Sequence, residues 1–150
     1  MKEKIKGKIL AVCQSEKKGT VKKERREGIF IEDFGLKNDA HAGKWHRQIS
    51  LLGVESINKM QNKGFKIRYG DFAENLTIEG ITLHQLPVGI KLKIGKNILL
   101  EVTQIGKECH HNCEIMKKIG DCVMPQEGIF ARVLKGGKVK AGDDIEVLEK

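Results

Sequence analysis

The sequence predicts a mainly β protein, a closed β-barrel carrying one or two short helices, and three observations predict it. Glycine is frequent at 17 residues while proline is rare at two. The apolar residues come in short runs separated by Gly, Asn and Asp, the pattern of many short strands joined by tight turns. So many strands must protect their edges, and closing the sheet on itself does so. No repeat period, low-complexity tract or linker divides the 150 residues, so a single domain over 1–150 is expected.

The elements follow in chain order. Ile9 to Val12 reads as a first strand and Gly28 to Glu32 as a second, with the charged stretch Lys17 to Glu27 between them as an exposed loop. Gln48 to Leu52 is apolar enough for a strand. Val54, Ile57 and Met60 then recur at helical spacing in a segment that stops at Gly64, which predicts a short amphipathic helix. Ile90 to Ile94 and Ile98 to Thr103 flank Gly95-Lys96-Asn97, residues suited to a hairpin turn. A second hairpin is expected to join Ile129 to Leu134 with Lys138-Val139 across Gly136-Gly137, and Ile145 to Leu148 is the expected closing strand.

Composition limits the function classes. With 39% hydrophobic and 32% charged residues, the chain has no apolar run near the roughly 20 residues that a bilayer span needs. Met1 to Lys8 carries positive charge without the apolar segment of a signal peptide, so a cytoplasmic protein is expected, with no membrane partner. In a reducing compartment Cys13, Cys109, Cys113 and Cys122 are better read as thiols, ligands or catalytic groups than as disulfides. The net charge is +8, but residues 1–28 hold ten Lys or Arg against four Glu and the rest is nearly balanced. That distribution reads as a solvated basic segment and argues against a nucleic-acid face.

The densest chemistry lies at Gly106-Lys107-Glu108-Cys109-His110-His111-Asn112-Cys113. A thiol attacks, or binds a soft metal, only as thiolate, and Lys107, His110 and His111 favour that form if they face it. Free cysteines are also often buried as small apolar residues, and that reading suits Cys122. It suits Cys109 less, because polar and charged residues flank it on both sides. Zinc is a third reading, although a C-x3-C pair followed by one more cysteine after eight intervening residues does not match the paired knuckles of structural sites.

Elsewhere, His41 and His46 fall in Asp39-Ala40-His41-Ala42-Gly43-Lys44-Trp45-His46-Arg47, a constrained polar loop. Arg47, Arg132 and Lys135 carry the donors that bind phosphates and oxyanions, with surface solvation as the ordinary alternative. Asn75, in Gly70-Asp71-Phe72-Ala73-Glu74-Asn75-Leu76-Thr77, is suited to hold a ligand or to tie a loop to the backbone.

Taken in order, these blocks resemble the MOSC family, the β-rich domains related to the C-terminus of molybdenum cofactor sulfurase. Gly35 to Gly43 is similar to the family's D-x-H-x-G loop, with Asn38 where many relatives carry Gly. Gly70 to Thr77 resembles its G-D-F-x-E-N-[LI]-T block. Val88-Gly89, Leu92 to Gly95 and Leu100 to Gln104 resemble the paired strands that lead to the signature cysteine, which falls at Cys109. Gly128 to Val133 and Val139 to Asp143 resemble the closing strands. Asn tolerates a left-handed backbone better than most residues, so Asn38 is compatible with the loop's shape.

The resemblance implies a barrel that binds molybdenum cofactor (molybdopterin), or that carries sulfur as a persulfide on Cys109 for metal–sulfur cofactor assembly. Cys109 is the implied reactive thiolate and metal ligand. Arg47, Arg132 and Lys135 are the implied phosphate binders, Asp39 and His41 supply pocket polarity, and Asn75 joins the implied cofactor contacts. His110 and Cys113 are placed by sequence to tune Cys109 or to resolve its persulfide. The pyridoxal-phosphate domain of the cofactor sulfurases is absent, so sulfur is expected from a separate cysteine desulfurase or other donor. A molybdoenzyme or cofactor-biosynthesis protein is the expected acceptor. A molybdenum-dependent reductase of N-hydroxylated compounds is a second expectation, and a zinc- or RNA-binding module a third.

Overall fold

A computed structural model of the protein describes residues 5–17, 21–106 and 124–148. Within them the strands are β1 (Lys6–Gln14), β2 (Lys23–Arg25), β3 (Glu27–Ile31), β4 (Gly35–Leu36), β5 (Ile49–Gly53), β6 (Leu76–Glu79), β7 (Lys91–Ile94), β8 (Ile98–Ile105), β9 (Ile129–Lys135), β10 (Gly137–Lys140) and β11 (Asp144–Leu148). Helix α1 spans Val54–Asn62, a short α2 spans Met124–Glu127, and a 3-10 turn covers Leu83–Gln85.

Seven strands close into a barrel in the order β1, β11, β7, β8, β9, β5, β6 and back to β1, with β2 added along part of β1. The closure expected from the sequence is present, and β11 makes it by pairing with both β7 and β1. All barrel pairs are antiparallel except β5 with β6. A parallel pair needs a long crossover, and this one contains α1.

Alternation puts Ile9, Leu51, Leu76, Leu92, Leu100, Val102, Ile129, Val133 and Ile145 inside the barrel, each at 1% exposure or less. Burial of each such side chain stabilises by about 1.5–3 kcal/mol. The helix turns Ile57 and Met60 onto a second cluster with Leu52, Phe72 and Phe130, on the outer side of the same sheet. Every residue of β5 is therefore buried, which explains why apolar residues fall on both of its faces. The Gly95 turn joins β7 to β8 as the sequence predicts, with Ile94 opposite Ile98.

Two expectations are corrected. The stretch Lys17 to Glu27 is not simply an exposed loop: β2 lies in it, paired to β1, and Lys22 is 2% exposed. The hairpin across Gly136-Gly137 does not form either, because β10 pairs with β3 in a separate three-stranded sheet, β10-β3-β4. The chain turns away from β9 at Gly136, where a Cβ would lie 2.2 Å from the Phe30 carbonyl oxygen. Two adjacent glycines thus permit a close crossing between sheets.

Strand register determines which motifs meet. Leu76 lies opposite both Val12 of β1 and Leu51 of β5, Leu51 lies opposite Ile129 of β9, and Ile129 lies opposite Ile105 of β8. Val12, Leu76, Leu51, Ile129 and Ile105 therefore form one row across five neighbouring strands, and the segments around that row lie close together. Among the described residues no helix is long and apolar enough to cross a membrane.

Candidate functional site

Three polar networks adjoin this row. The first is built on the Gly70–Thr77 block. Glu74 is completely buried and accepts hydrogen bonds from the Gly70 and Phe72 N–H groups, at 3.0 and 3.1 Å, and from the Thr77 hydroxyl at 3.0 Å. Burial pushes its carboxyl up to about 7, against the opposing pull of those donors. The lock holds Ala73 at φ +64°, a left-handed conformation costly for a residue with a Cβ. Asn75 is also fully buried: its Oδ1 accepts from the Ser50 N–H at 2.9 Å and its Nδ2 donates to the Cys13 carbonyl at 3.1 Å. Asn75 thus ties β1 and β5 to the start of β6, the loop-tying role, and its side chain is not accessible to a cofactor.

The second network centres on Lys22, which the sequence hid inside a charge run. Gly70 makes room for it: at φ +92° its missing Cβ would lie 2.1 Å from the Lys22 carbonyl oxygen, and the Lys22 N–H donates to the Gly70 carbonyl at 2.8 Å. The Lys22 side chain is wholly buried, with Nζ 2.8 Å from Asp39 Oδ1, 3.2 Å from Ser15 Oγ and 3.0 Å from His41 Nδ1. Asp39 also accepts from the backbone N–H groups of Ser15 and His41. Burial lowers the Lys22 pKa from its ordinary value, and Asp39 opposes that shift. Asn38 has φ +69°, so the left-handed conformation expected of it is the one it adopts, and Asp39 and His41 are brought together as the sequence suggested.

The third network is open to solvent. Gln104, near the end of β8, accepts at Oε1 from His46 Nε2 (2.9 Å) and Arg47 Nε (3.1 Å) and donates from Nε2 to the Gly106 carbonyl (2.7 Å). The Arg47 guanidinium lies 5.2 Å over the Phe130 ring, a cation–π arrangement that helps hold it in place. Its terminal nitrogens make no hydrogen bond among the described residues. The Trp45 ring lies parallel to His41, with centroids 6.5 Å apart, and edge-on to His46 at 5.8 Å, joining the second network to the third.

The other expected residues do not join these networks equally. Arg132 is two residues along β9 from Phe130 and is ion-paired to Glu101 at 2.7 Å. Lys135 is five residues from Phe130, roughly 16 Å along an extended strand, and lines a groove of about 280 Å³ with Lys93 and Lys96 beside the β7–β8 turn. A groove of about 410 Å³ between α1 and the 3-10 turn contains none of the expected site residues. Cys109, His110, His111, Cys113 and Cys122 lie outside the described residues. Cys13, the one cysteine among the described residues, is buried, and burial pushes its thiol well above the usual range. It is therefore a poor nucleophile.

Sequence reasoning missed Lys22, Ser15 and Gln104. Gln104 ends a stretch that resembled a family block, but nothing in one sequence marks its side chain as an anchor. Lys22 had no signal beyond the unexplained need of a buried Asp39 for a cation.

The family model for the MOSC domain matches residues 38–146. No curated protein matches the chain in sequence. Among solved structures, the chain is similar to the YuaD protein from Bacillus subtilis, with 21% identity, coverage of 98% of each chain and a TM-score of 0.81. It is also similar to YiiM from Geobacillus stearothermophilus, at 19% identity over 95% of this chain and 75% of that one with a TM-score of 0.72. YiiM from Escherichia coli matches at 16% identity over 100% of this chain and 71% of that one, with a TM-score of 0.65. At these identities the likeness to solved structures is one of fold.

Proposed function

Because the chain belongs to the MOSC domain family, we propose that it carries sulfur as a persulfide on Cys109 for assembly of a metal–sulfur cofactor, holding molybdenum cofactor by its phosphate at Arg47. One observation carries this reading. Arg47, half-buried and held by Gln104 and Phe130, makes no hydrogen bond with its terminal nitrogens among the described residues, and its partner Gln104 stands five residues before Cys109 in the sequence. The donor set fits the phosphate of the cofactor, since a guanidinium offers paired N–H groups to oxyanions, and His46 stands beside it on the same Gln104 oxygen. In this reading Cys109 supplies the sulfur ligand. When bound, the cofactor supplies a soft metal that takes a thiolate ligand.

The sulfur step needs no outside oxidant. The Cys109 thiolate attacks the terminal sulfur of a donor persulfide, a new S–S bond forms at Cys109, and the donor's S–S bond breaks to release its thiolate. A cysteine desulfurase is the proposed donor, and a molybdoenzyme or cofactor-biosynthesis protein the proposed acceptor.

Metal and pterin analysis of the purified protein tests the cofactor half. Molybdenum and pterin in equal amounts are expected, lost in Cys109→Ser and reduced in Arg47→Ala. One equivalent of zinc without pterin would overturn it.

A further inference from the structure

Two neighbouring rows on the outer face of the barrel treat their cations differently. Leu100 and Val102 of β8 are buried in the core, so Leu99 and Glu101 face outward. Glu101 lies opposite Lys91 of β7 on one side and Arg132 of β9 on the other, and it pairs with Arg132 at 2.7 Å. In the next row Leu99 lies opposite Lys93 of β7 and Lys135 of β9. Residues directly opposite one another share a face and interact, so here a leucine stands between two cations where the neighbouring row has a carboxylate. Lys93 and Lys135, with Lys96 and Asn97 of the β7–β8 turn, line a groove of about 280 Å³ that no carboxylate lines. Glu146, opposite Lys93 on β11, is outside that lining. None of the three ammonium groups has a hydrogen bond or ion pair among the described residues, whereas Lys8, Lys59 and Arg132 each hold an acid within 2.9 Å.

Like charges gathered around one groove repel, and an anion between them removes that repulsion. We propose that this groove is a binding site for an oligophosphate, the diphosphate or triphosphate group of a nucleotide or of inorganic polyphosphate. The Lys93 and Lys135 backbones flank β8, roughly 10 Å apart at two strand spacings, a span that a chain of phosphates bridges better than a single one. Each ammonium brings three donors and no acceptor, which suits phosphate oxygens and excludes cations. An extended acidic peptide sets the carboxylates of one face roughly 6.6 Å apart, too sparse to meet all three lysines in so small a groove. The site is separate from Arg47, which lies over Phe130, five residues from Lys135 along β9. It is independent of the sulfur-carrier reading.

Calorimetric titration of the full-length protein with sodium tripolyphosphate at low salt tests the proposal. One site per chain is expected, weakened roughly tenfold or more in Lys93→Gln/Lys135→Gln. A Lys66→Gln/Lys140→Gln control, which removes the same charge from exposed positions elsewhere, is expected to bind as the native protein does. Leu99→Glu, which gives this row the pattern of its neighbour, is expected to abolish binding. Should that variant fail to fold by circular dichroism, the lysine pair still decides. Equal weakening in both double variants would reveal only diffuse attraction to a chain of net charge +8 and would overturn the proposal. So would native affinity in a folded Leu99→Glu, no binding at about 1 mM, loss of binding in Arg47→Ala, or preference for a glutamate peptide. ATP separates the two sources with the same lysine dependence required: binding no tighter than tripolyphosphate supports the phosphate chain itself as the ligand, and tighter binding supports a nucleotide.

Discussion

Lys22 and Arg47 are both cations set beside a histidine, yet one is closed and the other open. Lys22 has no exposed side-chain surface, and its Nζ has three protein partners within hydrogen-bond distance. Arg47 is half-buried, uses its Nε on Gln104, and makes no hydrogen bond with its terminal nitrogens among the described residues. A buried, surrounded cation positions its neighbours. A half-buried one over an aromatic ring is suited to bind something from outside.

The sharpest way to break this comparison is to remove each cation. Lys22→Met leaves Asp39 buried without its partner, and about 3–5 kcal/mol of stability should be lost, read from urea unfolding. Next in size is Glu74→Gln, which sets an amide donor against one of three native donors and should cost about 1–3 kcal/mol.

Glu74 also makes a prediction about pH. Its carboxyl is raised from an ordinary 4.5 to about 7 by burial, so between those values the folded protein holds a proton that the unfolded chain has released. Stability should therefore fall as pH rises from about 4.5 to about 7 and level off above. Glu74→Gln should flatten that slope. A native protein whose stability rises over the window would contradict the burial argument.

Smaller still is Arg132→Ala, which removes a solvent-exposed ion pair with Glu101 and should cost about 0.2–1 kcal/mol. Arg47→Ala should likewise change stability by less than about 1 kcal/mol while reducing bound pterin. If Arg47→Ala unfolds the protein as readily as Lys22→Met, the division between a closed and an open cation fails.

The barrel was legible because strands carry their own pattern: short apolar runs, the Gly95 turn and the helical spacing of Val54, Ile57 and Met60 all correspond to observed elements. The partner of a strand is not written in the strand. Gly136-Gly137 read locally as a hairpin turn, but the close approach to Phe30 sends β10 to β3 instead. The same limit applies to the site. Asp39 and His41 stood out through their spacing, whereas Lys22 sits 17 residues before Asp39 in a run of charges that composition reads as solvated. Asn75 was visible as part of a block, but only its burial separates tying a loop from holding a ligand.

The central claim, that Cys109 accepts sulfur, is tested most directly by mass spectrometry of the full-length protein after incubation with a cysteine desulfurase and cysteine. The account predicts a mass increase of one sulfur atom, mapped to the peptide containing Cys109 and absent in Cys109→Ser. No adduct, or one spread equally over all four cysteines, would contradict it.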